Sequence, residues 1–169
     1  MSQELNQDAF VSLARNGQRD FSKNTFVGNI DASLAGISFD QTDTWIFNDS
    51  TVTGELFLGD ITAQSVSFEY VGGNGKICLY RPCVNTIHAR KLVNQRFTVI
   101  NGTVDEIDLS HSEHGTGFMI KETPLDILIL DHSTSLCSLF DEESVRKLTT
   151  IGASLGRRIP MTLAESLST

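Results

Sequence analysis

Residues 56 to 79, LFLGDITAQSVSFEYVGGNGKICL, hold the pattern that decides the fold: an apolar residue, any residue, then a second apolar residue, recurring about every ten positions. The beat runs on as Leu56/Leu58, Val66/Phe68, Ile77/Leu79, Ile87/Ala89, Phe97/Val99, Ile107/Leu109, Phe118/Ile120 and Leu128/Leu130. Side chains at i and i+2 share one face of a strand, so this beat predicts a strand-turn unit repeated many times.

Aligning every second pair sharpens the reading. One column is Leu56, Ile77, Phe97, Phe118, and the other is Trp45, Val66, Ile87, Ile107, Leu128. Their partners align as Leu58, Leu79, Val99, Ile120 and as Phe47, Phe68, Ala89, Leu109, Leu130. Members of a column are 20 or 21 residues apart, the length of one coil with two strand faces. The expected fold is all-β: a right-handed parallel β-helix of about five coils, with the four columns as its interior. A meander of hairpins in a sandwich or barrel is the competing architecture. Hairpins of that kind use tight Asn-Gly tips, and only Asn74-Gly75 and Asn101-Gly102 qualify.

The chain has 169 residues, 40% of them hydrophobic and 20% charged, enough for one domain with a real core. Three parts are expected: a capping helix in residues 1–16, a β-helix domain in 17–140, and a helical cap or dimerisation segment in 141–169. Leu5, Ala9, Phe10 and Leu13 give the first helix its apolar face, and Asn16-Gly17 ends it. Asp141-Glu142-Glu143-Ser144 opens a second helical run, with Val145, Leu148 and Ile151 on one face. Met161, Leu163 and Leu167 add a last amphipathic turn. Such ends cover the apolar coil that a solenoid otherwise exposes.

No stretch approaches the ~18 consecutive apolar residues of a membrane span, and MSQELNQDAF lacks a basic and apolar leader, so a cytoplasmic location and no membrane partner are expected. Cys78, Cys83 and Cys137 are odd in number and form no CxxC pair, so reduced, structural thiols are expected.

Charge is laid out in blocks. Residues 24 to 75 carry seven acids and no Lys or Arg, residues 76 to 96 carry five bases and no acid, and residues 105 to 143 carry ten acids against Lys121. On a solenoid such blocks become bands along the rod. Arg81, Arg90, Lys91 and Arg96 form the basic band, suited to a phosphate or an acidic protein surface; Asp49, Glu55, Asp60 and Glu69 stand in the acidic one. One basic coil in a chain of net charge −8 is too small for general nucleic-acid binding.

Residue groupings that suggest chemistry have plainer explanations. Asp108 and His111-Ser112-Glu113-His114 are the densest set of potential ligands, but on a strand and turn their side chains diverge, so a solvated turn and no metal are expected. Asp131-His132-Ser133 holds the residue types of a hydrolytic triad, yet neighbours on a strand point to opposite faces. Gly72-Gly73-Asn74-Gly75 lacks the Lys and helix of a phosphate loop and fits a bulge at a coil corner. No cofactor and no catalytic residue are expected.

Read in fives, the segment GELFL, GDITA, QSVSF resembles the A(D/N)LXX unit of pentapeptide-repeat proteins, and Gly17-Gln18-Arg19-Asp20-Phe21-Ser22 resembles the start of their first coil. The likeness covers about residues 17 to 130. The position two before each centre, small in that family, is Gln64, Glu69, Asn85, Gln95 and Asp105 here, so the resemblance is to a divergent member. VTGELFLGDITA is also similar to segments of bactofilins, whose usual coil is shorter.

The fold implies a non-catalytic protein-binding or scaffold module presenting a rigid, charge-banded surface to a protein partner of unknown identity. The pentapeptide resemblance implies two further expectations: a homodimer through the C-terminal segment, and an acidic DNA mimic that binds a topoisomerase such as gyrase. The bactofilin resemblance implies a self-polymerising cytoskeletal scaffold.

Overall fold

A computed structural model describes residues 2–33 and 39–158. The chain winds into a parallel β-solenoid of about 7 turns, two more than the beat predicts. Its long face is a sheet of seven strands, Asn29–Asp31, Glu55–Gly59, Lys76–Tyr80, Val93–Ile100, Glu113–Lys121, Thr134–Phe140 and Ser154–Arg158, each paired in parallel with the next. The second face stacks Thr44–Ile46, Thr62–Ser67, Cys83–His88, Thr103–Asp108, Leu125–Ile129 and Val145–Thr149. A short third sheet joins Glu4–Leu5, Thr25–Phe26 and Thr51–Val52.

The predicted columns are register columns. Leu56 pairs with Ile77, Ile77 with Phe97, and Phe97 with Phe118. On the second face Trp45, Val66, Ile87, Ile107 and Leu128 follow one another in the same way. Every one of these side chains is buried in the rod. Residues at five-residue spacing are buried too: Leu56, Ile61, Val66 and Val71, then Ile77, Pro82, Ile87, Leu92, Phe97, Gly102 and Ile107.

Corners of the coil are built by residues in the left-handed conformation. Asp49, Tyr70, Lys91, His111 and His132 form one such row, and Asp60, Arg81, Asn101 and Glu122 form another. Each corner bonds along the axis to the residue that precedes the next corner: the Asp49 N–H donates to the Glu69 carbonyl and the His111 N–H to the Asp131 carbonyl. The 20-versus-21 alternation falls in the arc after the first corner. Lys91 to Phe97 takes one residue fewer than His111 to Phe118, and the ladder breaks register there, between Asn94 and Arg96.

The N-terminal end is closed by one helix, α1 (Gln7–Arg15), shorter than expected because Glu4–Leu5 joins the short sheet. The Asn6 side chain caps it by accepting from the Ala9 N–H, and Gly17, at φ 88°, supplies the left-handed step that ends it. Phe10 carries the cap into the rod, with its ring centroid 4.7 Å from Phe21 and 6.5 Å from Phe47.

The helix expected from Asp141 is not there. Glu142–Ser144 is a short 3-10 turn, and the chain continues as the strands Val145–Thr149 and Ser154–Arg158 of a further coil. Val145 and Leu148 take the places of Leu125 and Leu128 one coil earlier. That i, i+3 step recurs in each coil, as Ala63/Val66, Val84/Ile87 and Val104/Ile107, because two inward positions flank a bend. It matches a helical spacing by coincidence. Met161, Leu163 and Leu167 lie outside the described residues.

Candidate functional site

The two faces of the rod turn different chemistry outward. Between the buried columns of the long face, the register row Phe57, Cys78, Thr98, Met119, Leu139 points out. The next outward row is Gly59, Tyr80, Ile100, Lys121. Phe57 and Tyr80 stack with ring centroids 6.3 Å apart. These rows make a stripe that is apolar over most of its length; its members are half-buried, except Gly59 and Thr98, which are buried. Parallel sheets normally have both faces covered, which makes an outward apolar stripe informative. On the second face the outward rows through the middle coils are Ser65, Thr86, Glu106 and Ser67, His88, Asp108, with Ile127 and Ile129 in the following coil.

Of the predicted charged residues, Glu55, Arg96, Asp60 and Arg81 flank this stripe, and the bands interlock. Glu55, Lys76 and Arg96 are register neighbours in the row flanking the stripe on one side. On the other side, Arg81 pairs with Asp60 of the preceding coil at 2.7 Å, and its guanidinium lies 5.1 Å from the Tyr80 ring. The Asp60 carboxylate pushes the Arg81 pKa up. Arg90 sits on the second face between Glu69 and Asp108, 4.0 and 3.7 Å away. Lys91 and Asp49 are at the first corner, where the Lys91 Nζ lies 4.7 Å over the Tyr70 ring and donates to its hydroxyl at 3.3 Å. The basic coil therefore neutralises acids from the coils above and below.

The His111 to His114 segment is not the solvated turn expected. His111 occupies the exposed corner and stacks on His132, with centroids 4.9 Å apart. Ser112 is fully buried, donating to the Ala89 carbonyl at 2.6 Å and accepting from the Leu92 N–H. His114 is 3% exposed and packs against Phe97 and Phe118. The Asn94 Nδ2 donates to the Arg96 carbonyl at 2.8 Å, so Asn94 Oδ1 faces His114 Nδ1 at 2.7 Å. Nδ1 must carry the proton, leaving the buried Nε2 as an acceptor with no protein partner. Burial pushes the imidazole down to about 4. A short interior segment with these residue types gave no sequence signal beyond alternation.

Asp131 lies one coil from His111, as its 20-residue spacing suggests, but its carboxylate accepts the Ile151 N–H at 2.8 Å. Among the described residues, no three His, Cys, Asp or Glu are grouped to hold a metal ion. The three cysteines are free thiols, and burial, then the Glu55 charge, push the Cys78 thiol up to about 11. No described helix is long and apolar enough to cross a membrane.

A concave feature lies earlier along the long-face strands. Val93, Glu113, Thr134 and Ser154 form an outward register row, and with Gly115 and Leu136 they line a groove of about 470 Å³. Compared with known protein families, with curated proteins and with solved structures, the chain matches none.

Proposed function

We propose that this chain is a non-catalytic protein-binding or scaffold module whose long face docks a protein partner. The observation that carries this reading is the outward row Phe57, Cys78, Thr98, Met119, Leu139, flanked by charged rows, on a backbone held rigid by parallel ladders. An apolar centre with a charged rim is the anatomy of a protein interface. Rigidity limits the entropy lost when a partner docks.

The charged residues act as the rim. Glu55 and Arg96 border the stripe on one side, Asp60 and Arg81 on the other, where they set orientation and partner choice. Mimicry of duplex DNA requires rows of unneutralised carboxylates. Here Asp60 and Glu69 are matched by Arg81 and Arg90, which favours the protein-docking reading.

Photo-crosslinking in the native host tests the proposal. A photoreactive residue at Ile100, on the stripe, should give discrete protein adducts, whereas one at Thr86, on the second face, should not. Equal adducts from both positions, or none from Ile100, would refute docking through the long face.

A further inference from the structure

We infer that the earlier coils of the long face pair with a second copy of this chain, turned end for end, so that Glu55 and Asp60 of each copy meet Lys76 and Arg81 of the other. This rests on docking through the long face and names the occupant of its earlier coils.

The first observation is charge left unpaired. Asn29, Glu55, Lys76 and Arg96 follow one another in register along one flank of the stripe. Asp60 pairs with Arg81 and Glu69 with Arg90 between coils, whereas Glu55, Lys76 and Arg96 make no ion pair among the described residues. Charges on the rim of an apolar patch that are not neutralised within the chain are available to a partner.

The second observation is a groove beside those bases. Asn29, Asp31, Glu55 and Phe57 line a hollow of about 280 Å³ at the start of the long face, and no Lys or Arg lines it. Lys76 and Arg96 stand on the strands that follow, along the same flank. An acid-lined groove and the bases that suit it therefore share one face of one chain.

Symmetry decides how two such faces meet. A two-fold axis along the rod would set one flank against the other at the same coil, Glu55 facing Asp60 and Lys76 facing Arg81, which places like charges together. A two-fold axis across the rod, between Glu55–Gly59 and Lys76–Tyr80, sets each row against itself in reverse order. Glu55 then meets Lys76 of the second copy, Asp60 meets its Arg81, and Arg96 comes opposite Asn29 at the acid-lined groove. The same turn sets Phe57 against Cys78 of the second copy, so the apolar rows stay in contact. The paired strands, Asn29–Asp31 to Val93–Ile100, span roughly 19 Å at about 4.8 Å per strand, a patch at the low end of specific interfaces, so the dimer is weak and reversible.

Sedimentation velocity of the full chain from about 5 to about 500 µM tests this. The wild type should form a dimer that weakens as salt rises. Glu55 is half-buried and Lys76 exposed, so Glu55→Lys and Lys76→Glu should each fold with the wild-type thermal midpoint yet weaken the dimer at least about tenfold. An equal mixture of the two variants should restore it, because each then carries the charge its own copy lacks. Met119→Glu, beyond the paired strands, should leave the dimer unchanged. A monomer at every concentration, a dimer indifferent to either single variant, or no recovery in the mixture would each overturn the inference; capture of another protein that still depends on Met119 would then show long-face docking standing without it.

Discussion

Asp60 and Arg81 occupy the same left-handed corner on successive coils and pair at 2.7 Å across the boundary between an acidic and a basic block of sequence. Both side chains are more than half exposed, and exposed pairs contribute little to stability. Arg81→Ala should therefore leave the thermal midpoint unchanged at moderate salt, as calorimetry would show. A clear fall would mean the corner pairs hold the coils together.

The interior columns should behave in the opposite way. Phe97 is fully buried, with Phe68 and His114 as ring neighbours at 6.3 and 6.2 Å. Phe97→Ala should cost about 3–5 kcal/mol in urea unfolding, because the packed column cannot collapse around the gap. Ile100→Ala, three residues on and facing out, should cost far less.

His114 makes stability depend on pH. Its folded value is depressed to about 4 from 6.5, so the unfolded chain takes up the proton first as pH falls. The contribution is complete above pH 6.5, declines between 6.5 and about 4, and is then gone, a loss of about 3 kcal/mol. His114→Leu should remove that part of the slope in urea titrations at pH 7, 5 and 4. An unchanged slope would place the dependence elsewhere.

Gly115 and Gly117 should differ sharply although two residues apart. Gly117 has φ 137°, and a Cβ there would run into the Cys137 carbonyl; at Gly115 the nearest atom is 3.7 Å away. Gly117→Ala should cost about 1–3 kcal/mol or more, and Gly115→Ala should stay within about 0.5 kcal/mol. Thermal unfolding of the two variants side by side checks this.

The columns were legible in the sequence because stacked parallel coils repeat the same inward position, so Leu56, Ile77, Phe97 and Phe118 recur at fixed spacing. The corners were not, because Tyr70, Lys91 and His111 take the left-handed conformation without a glycine to mark it. The last coil was read as helix because Val145 and Leu148 carry the i, i+3 step that flanks each bend. The charge blocks were visible, but the pairing between coils was hidden: Glu69 and Arg90 are 21 positions apart and meet only once the coil closes. The outward stripe was missed because Phe57, Cys78 and Met119 sit between the apolar pairs, at the positions the beat leaves undefined.

The most direct test of docking through the long face is a quantitative pull-down from the native host with three baits: wild type, Met119→Glu on the stripe and Thr86→Glu on the second face. The account predicts that a partner retained by wild type and by Thr86→Glu is lost with Met119→Glu, while all three baits unfold at similar temperature. Retention by Met119→Glu, or equal loss with both variants, would contradict it.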